Sequence, residues 1–220
     1  MNRLFCLLLI IVGLQPAVAE DTQKVTSLLK ETQKLTTDAD TVVVAWWIPN
    51  QYWEESLKNN PQVTDAQKED FRKTLQDYTV VCVVDVKKGG LAVFNFTPAE
   101  DIIKTAKLAD PDGETLTPLA DSDLTPAAQN FLGMMKPVFA NTLGKLGQNC
   151  ALVVFPSKDS NGKMVADPLG EGRLSFVENG HSFSWRLPLA SLLPEKICPQ
   201  CQEHLPGSYH FCPYDGAKLE

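Results

Sequence analysis

The residues best suited to chemistry lie near the end of the chain, in CPQCQEHLPGSYHFCPYDG, from Cys198 to Gly216. Cys198, Cys201, Cys212 and Asp215 follow the spacing C-x2-C-x10-C-x2-D. Two donors three residues apart in a tight turn can point at one ion, while backbone N–H groups of the turn hydrogen-bond the thiolates. Zinc takes four such donors in a tetrahedron and accepts a carboxylate oxygen beside sulfur. A segment this short buries too little apolar surface to fold unaided, so the metal would supply the folding free energy. Three thiolates and a carboxylate close the coordination sphere, which makes the expected Zn²⁺ structural rather than catalytic. His204 and His210 are the alternative fourth donors. His204 is the better placed, three residues after Cys201, and a solvated loop position is the simpler reading of both.

The stretch resembles a zinc ribbon, in which two CPxC-type turns on hairpins each present two ligands, and above all the bacterial ribbons ending in FCPxDGxxL. Phe211, Cys212, Pro213, Asp215, Gly216 and Leu219 match that ending, and the resemblance covers about 25 residues, with nothing upstream. It implies a small structural Zn²⁺ module that stabilises the chain or meets a partner. The chain departs from the pattern at Gln202, where such ribbons usually carry glycine, and at Asp215, where they carry cysteine. Because Pro213, Gly216 and Leu219 persist around it, Asp215 reads as a substituted ligand. Upstream, the chain resembles exported bacterial proteins only in general layout.

CPQC also has the spacing of dithiol oxidoreductases, which place the motif at a helix start after an early strand. Only 19 residues follow Cys201, too few for that geometry, and Cys212 would be left over. Cys82 and Cys150 lie in apolar β-branched runs, where free thiols commonly act as small hydrophobes. They can form a disulfide if their strands are neighbours with Cα atoms within about 7 Å.

No catalytic constellation accompanies the cluster. A serine–histidine–acid triad would have to use His181, yet no Gly-x-Ser-x-Gly elbow is present. SNGK, from Ser160 to Lys163, has serine–lysine spacing but reads as a turn, and the acidic run Asp110 to Glu114 lacks the ligand layout of a calcium loop. Asn95-Phe96-Thr97 matches a glycosylation pattern but falls in a strand-like segment before Pro98. Three of the four tryptophans occur in WWIPNQYW, from Trp46 to Trp53. Trp46 and Trp47 should pack on opposite faces of a covered strand, while for Tyr52 and Trp53 both readings stand, core packing or a patch for a sugar or a protein partner. The expected class is therefore a binding or assembly protein, with an envelope enzyme of hydrolase type as the alternative and a dithiol redox protein as a minor one.

The elements that must carry these residues read as follows. Arg3, the apolar run Leu4 to Leu14 and the small residues Ala17 and Ala19 have the layout of a cleaved export signal leaving Glu20 first, which predicts a periplasmic or secreted protein. The run is too short to span a membrane, so no stable insertion is expected. Losing Arg3 takes the net charge from −7 to −8, and such a surface repels nucleic acid. Helical spacing covers Thr22 to Thr37, and TVVVAWWI from Thr41 to Ile48 reads as a central strand. Caps at Asn50, Thr64, Thr97 with Pro98, and Thr125 with Pro126 start further helices, the last with Phe131, Met134, Met135, Val138 and Phe139 at core spacing and a kink or break at Pro137. Tyr78 to Val86 and Leu91 to Thr97 form one hairpin, weak strands flank Asp110 to Gly113, Cys150 to Pro156 is a buried strand, and Arg173 to Leu187 folds about Asn179-Gly180. The sum is an α+β domain over 20–195, mostly antiparallel sheet with packed helices, after a signal over 1–19 and before a zinc-ribbon module over 196–220.

Overall fold

The computed structural model describes residues 19–58, 60, 61, 63–89 and 94–220. The segment expected to be an export signal, apart from Ala19, lies outside them, as does the stretch 90–93 at the expected turn into the second hairpin strand. The fold is α+β with antiparallel sheets. A five-stranded sheet runs β1 (Gln33–Thr37), β2 (Thr41–Ile48), β3 (Tyr78–Lys88), and beyond β3 both β4 (Phe94–Phe96) and β7 (Ala151–Pro156), each paired with a different half of β3. A second sheet has the order β6 (Thr115–Leu116), β5 (Lys107–Ala109), β8 (Gly172–Glu178), β9 (His181–Leu187).

Strand parity sorts the core into two layers. Val43, Ala45 and Trp47 of β2, Val81 and Val83 of β3, and Val153 and Phe155 of β7 meet Leu174 and Phe176 of β8 and Phe183 and Trp185 of β9. Trp47 and Trp185 touch edge to face across this layer, centroids 5.9 Å apart. The opposite parity, Trp46, Ile48, Val80, Cys82, Val84 and Val154, packs against α2 (Asn50–Leu57), α3 (Asp65–Leu75) and α5 (Pro126–Leu143). Trp46 and Trp47 thus face opposite ways from a covered strand, as their adjacency in TVVVAWWI requires. Each such buried side chain contributes about 1.5–3 kcal/mol.

The helix expected over Thr22 to Thr37 stops early. α1 (Ala19–Thr32) gives way to β1, because Leu35 to Thr37 pair with Val42 to Val44 across a turn that the Asp38 carboxylate holds by accepting from the N–H groups of Asp40 and Thr41. Two caps also differ from expectation. Asn50 does not cap α2 but donates from its amide to the Leu75 carbonyl at the end of α3. Thr97 does not cap α4 (Ala99–Thr105); its hydroxyl donates instead to Asp85 Oδ2 at 2.7 Å. Thr64 and Thr125 do cap their helices, Thr64 in a full capping box with Gln67. α5 continues through Pro137 to Leu143, and Met134 and Val138 lie on its exposed face, while Phe131, Leu132 and Phe139 are buried. The β8–β9 turn carries positive φ at both Asn179 (44°) and Gly180 (83°), the primed-turn geometry expected of Asn-Gly.

After α6 (Lys145–Gln148), β7 and the β8–β9 hairpin, the chain reaches residues 196–220. There β10 (Lys196–Ile197) and β11 (His204–Leu205) pair, and Cys198, Leu205, Cys212 and Leu219 form a small core of their own. No helix among the described residues is long and apolar enough to cross a membrane.

Candidate metal centre

Two turns of the same design bring the tail donors together. In the first, Gln202 N–H donates to the Cys198 carbonyl (3.0 Å) and Cys198 N–H to the Glu203 carbonyl (2.9 Å). In the second, Gly216 N–H donates to the Cys212 carbonyl (3.0 Å) and Cys212 N–H to the Ala217 carbonyl (2.8 Å). The fourth residue after each leading cysteine has positive φ: Gln202 at 62° and Gly216 at 75°. Gln202 therefore adopts the conformation that glycine takes without strain, and its side-chain amide donates to the Pro199 carbonyl. The first turn keeps its geometry despite the missing glycine. A third contact docks the module: a Cβ on Gly207 would stand 2.2 Å from the Pro194 carbonyl oxygen, so only glycine fits there.

One donor atom each from Cys198, Cys201, Cys212 and Asp215 lies within 4.8 Å of every other. Asp215 Oδ2 is 3.3 Å from Cys198 Sγ, and the sulfurs of Cys201 and Cys212 are 3.6 Å apart. Such a cluster, three thiols and one carboxylate facing one point, can hold a metal ion. Cys198 and Cys212 are buried, and Cys201 and Asp215 are exposed. His204 and His210 are not in the cluster; the His204 ring meets Glu195 Oε2 at 3.2 Å in solvent.

The electrostatics suit a cation. Burial pushes the Cys198 thiol up, but the N–H groups of Cys201 and Gln200 outweigh it, and the net shift is downward. The N–H of Ala217, 2.9 Å from Oδ1, leads the interactions that hold the Asp215 carboxyl down to about 2, joined by the neighbouring thiols. Cys201 is pushed up to about 12: the Glu203 N–H favours its thiolate, but the hydrogen bond to Asp215, burial and the two other sulfurs prevail. The Cys198 and Cys201 thiols thus share a hydrogen-bonding carboxylate that is held down to about 2. A divalent ion bound by thiolates would displace thiol protons, which makes its binding proton-coupled.

The other residues singled out by sequence remain apart. Ser160 donates to Glu114 Oε2 (2.8 Å) and Lys163 pairs with Asp112, so the SNGK serine and lysine serve different acids in a turn. Asp110 Oδ1 accepts from the N–H groups of Asp112 and Glu114, which accounts for the acidic run as a turn. His181 sits at the β8–β9 turn opposite Glu178, near Asp38. Trp53 is half-buried against Phe131 and, with Asn50, Glu55, Leu57, Phe71 and Leu75, lines a groove of about 430 Å³ between α2 and α3.

One constellation escaped the sequence reading. Asp85 and Glu178 are both wholly buried, and Asp85 Oδ1 and both Glu178 carboxyl oxygens have no hydrogen-bond partner. The signal was parity: Asp85 shares the inward face with Val81 and Val83, and Glu178 with Leu174 and Phe176. Neither acid lines the α2–α3 groove. Compared with protein-family models, curated proteins and solved structures, the chain matches none.

Proposed function

We propose that this chain is an exported, non-enzymatic binding or assembly protein whose residues 196–220 form a zinc ribbon, with structural Zn²⁺ held by Cys198, Cys201, Cys212 and Asp215. The observation that carries this reading is the convergence of those four donors on two matched turns. Four protein donors leave no open position for substrate, as a structural site requires. The same module leaves Ile197, Tyr209, Phe211 and Tyr214 exposed, Tyr214 at 73%. Aromatics held in solvent on a rigid small fold suit a protein partner. A glycan is the second reading, favoured by the groove beside Trp53 with its apolar floor and the amide of Asn50. Export is proposed on the signal-like start of the chain.

Metal analysis of protein purified without added zinc, for wild type and Asp215→Ala, tests the centre. About one zinc per wild-type chain and a clear loss in the variant are expected. Wild type near zero overturns the zinc reading, and unchanged zinc in the variant moves the fourth place to His204, His210 or water. N-terminal sequencing of protein from exporting cells should begin at Glu20.

A further inference from the structure

The chain has six cysteines. Cys6 falls in the expected export signal, and Cys198, Cys201 and Cys212 are gathered in the tail cluster. Two remain, and the fold sets those two side by side. Cys82 stands in β3 opposite Leu152 of β7, and Cys150 immediately precedes the first residue of β7. Strand parity sends Cys82, Cys150 and Leu152 to the same, helix-covered face, and both cysteines belong to one core cluster.

Offset by one pleat, the two are diagonal cross-strand neighbours, and the usual separation of such a pair, about 7–8 Å, is just beyond the range of an unstrained disulfide. Closing it requires one backbone to yield slightly. Cys150 is the residue that can, because it lies outside the ladder and its N–H reaches the Gly147 carbonyl only at 3.5 Å. Each thiol perturbs the other: the neighbouring Cys150 thiol, and then burial, push Cys82 up, whereas the Cys82 thiol and the charge of Lys136 shift Cys150 down against its own burial. Both are nearly inaccessible, at 5% and 8% exposure.

We propose that Cys82 and Cys150 form a disulfide bond that joins β3 to the start of β7 in the mature protein. This rests on the export reading, since thiols persist unpaired in reducing compartments and are oxidised outside them. The Cys150 thiolate attacks a disulfide oxidant of that compartment and forms a mixed disulfide; the Cys82 thiolate then attacks the Cys150 sulfur and releases the oxidant as its dithiol. Two thiols lose two protons and two electrons, one S–S bond forms in the protein and one is reduced in the oxidant. With neither sulfur accessible in the folded chain, the exchange takes place before α5 covers this face. A metal ion on the tail thiolates keeps Cys198, Cys201 and Cys212 out of the exchange, so the remaining pair has no competitor.

The test is independent of the cell. Zinc-loaded full-length protein is refolded in mixed reduced and oxidised glutathione, its thiols are blocked in denaturant, and peptides are mapped without reduction. A peptide linking Cys82 to Cys150 is expected. Recovery of both as blocked free thiols overturns the proposal, whereas a failure of export appears separately, as an N-terminus that does not begin at Glu20. In a second measurement, a phosphine reductant should lower the wild-type Tm by several degrees. The Cys82→Ala, Cys150→Ala variant should show no such dependence on reductant. A wild type as insensitive as the variant also overturns the proposal.

Discussion

Asp85 of β3 and Glu178 of β8 come from different sheets and end in the same dry corner of the inter-sheet core, both with no exposed surface. Burial, and then the charge of Asp85, push the Glu178 carboxyl up to about 7, against smaller opposing effects of Thr105 and Lys87. The Thr97 hydroxyl occupies Asp85 Oδ2, which leaves the second oxygen of Asp85 and both oxygens of Glu178 without donors. Glu178, with neither solvent nor a donor, is the costlier of the two to ionise, so a proton on Glu178 is the least costly neutralisation.

This fixes a pH dependence. The unfolded chain gives up the Glu178 proton near its ordinary value, 4.5, and the folded chain near 7. Between these limits the folded state binds more protons, so its stability falls as pH rises and is lowest above the folded value. A shift of this size corresponds to a span of about 3 kcal/mol. Urea unfolding from pH 4 to 8 should show this fall in wild type and a flatter profile for Glu178→Gln, which is the more stable of the two at pH 8. An unchanged slope in the variant rules Glu178 out as the source.

Thr32, at the end of α1, joins the two core layers. Its hydroxyl donates to the Leu28 carbonyl (2.8 Å) and accepts from Trp46 Nε1 (3.1 Å), while its own carbonyl accepts from Trp185 Nε1 (2.6 Å). Thr32→Val keeps the shape and removes the acceptor for Trp46, so an indole N–H is left buried and unpaired. A loss of about 2 kcal/mol is expected by denaturant unfolding, and Thr32→Ser should recover most of it. A loss in Thr32→Ser with none in Thr32→Val would point to packing of the methyl group instead.

How much of this was legible in advance depends on what decides each feature. Asn179-Gly180, Thr125-Pro126 and the alternation of Trp46 and Trp47 are local, and each folds as its residue types dictate. Gln33 to Thr37 are not. Nothing within the segment prefers strand to helix strongly, and pairing with β2 decides it. Thr97 has the type and position of a cap, yet a buried carboxylate twelve residues earlier claims its hydroxyl. The tail donors could be read because metal spacing is itself local, whereas Asp85 and Glu178 meet only when two sheets pack.

Metal removal should separate the tail from the rest. All four tryptophans, Trp46, Trp47, Trp53 and Trp185, lie upstream of residue 196. Chelation at neutral pH is therefore expected to abolish amide protection in 196–220 while the tryptophan emission stays as it was. Loss of both together would show that the small core of Cys198, Leu205, Cys212 and Leu219 supports the sheets as well.

One difference between the two turns of the tail, at the position with positive φ, has a measurable cost. Gly216 and Gln202 stand at equivalent places, each donating its N–H back to the leading cysteine's carbonyl with φ positive. For a residue with a side chain, the left-handed conformation costs about 1–2 kcal/mol, and the Gln202 amide recovers part of this by bonding the Pro199 carbonyl. Gln202→Gly relieves the strain but loses that bond and loosens the unfolded chain, so the net gain is smaller, about 0.5 kcal/mol. Gly216→Ala carries the opposite change with no compensating contact, since no atom lies within 4 Å of the added Cβ. Competition with a chromophoric chelator should rank zinc retention as Gln202→Gly, then wild type, then Gly216→Ala. If Gln202→Gly instead releases zinc more readily than wild type, the glutamine side chain, rather than its backbone, organises the first turn.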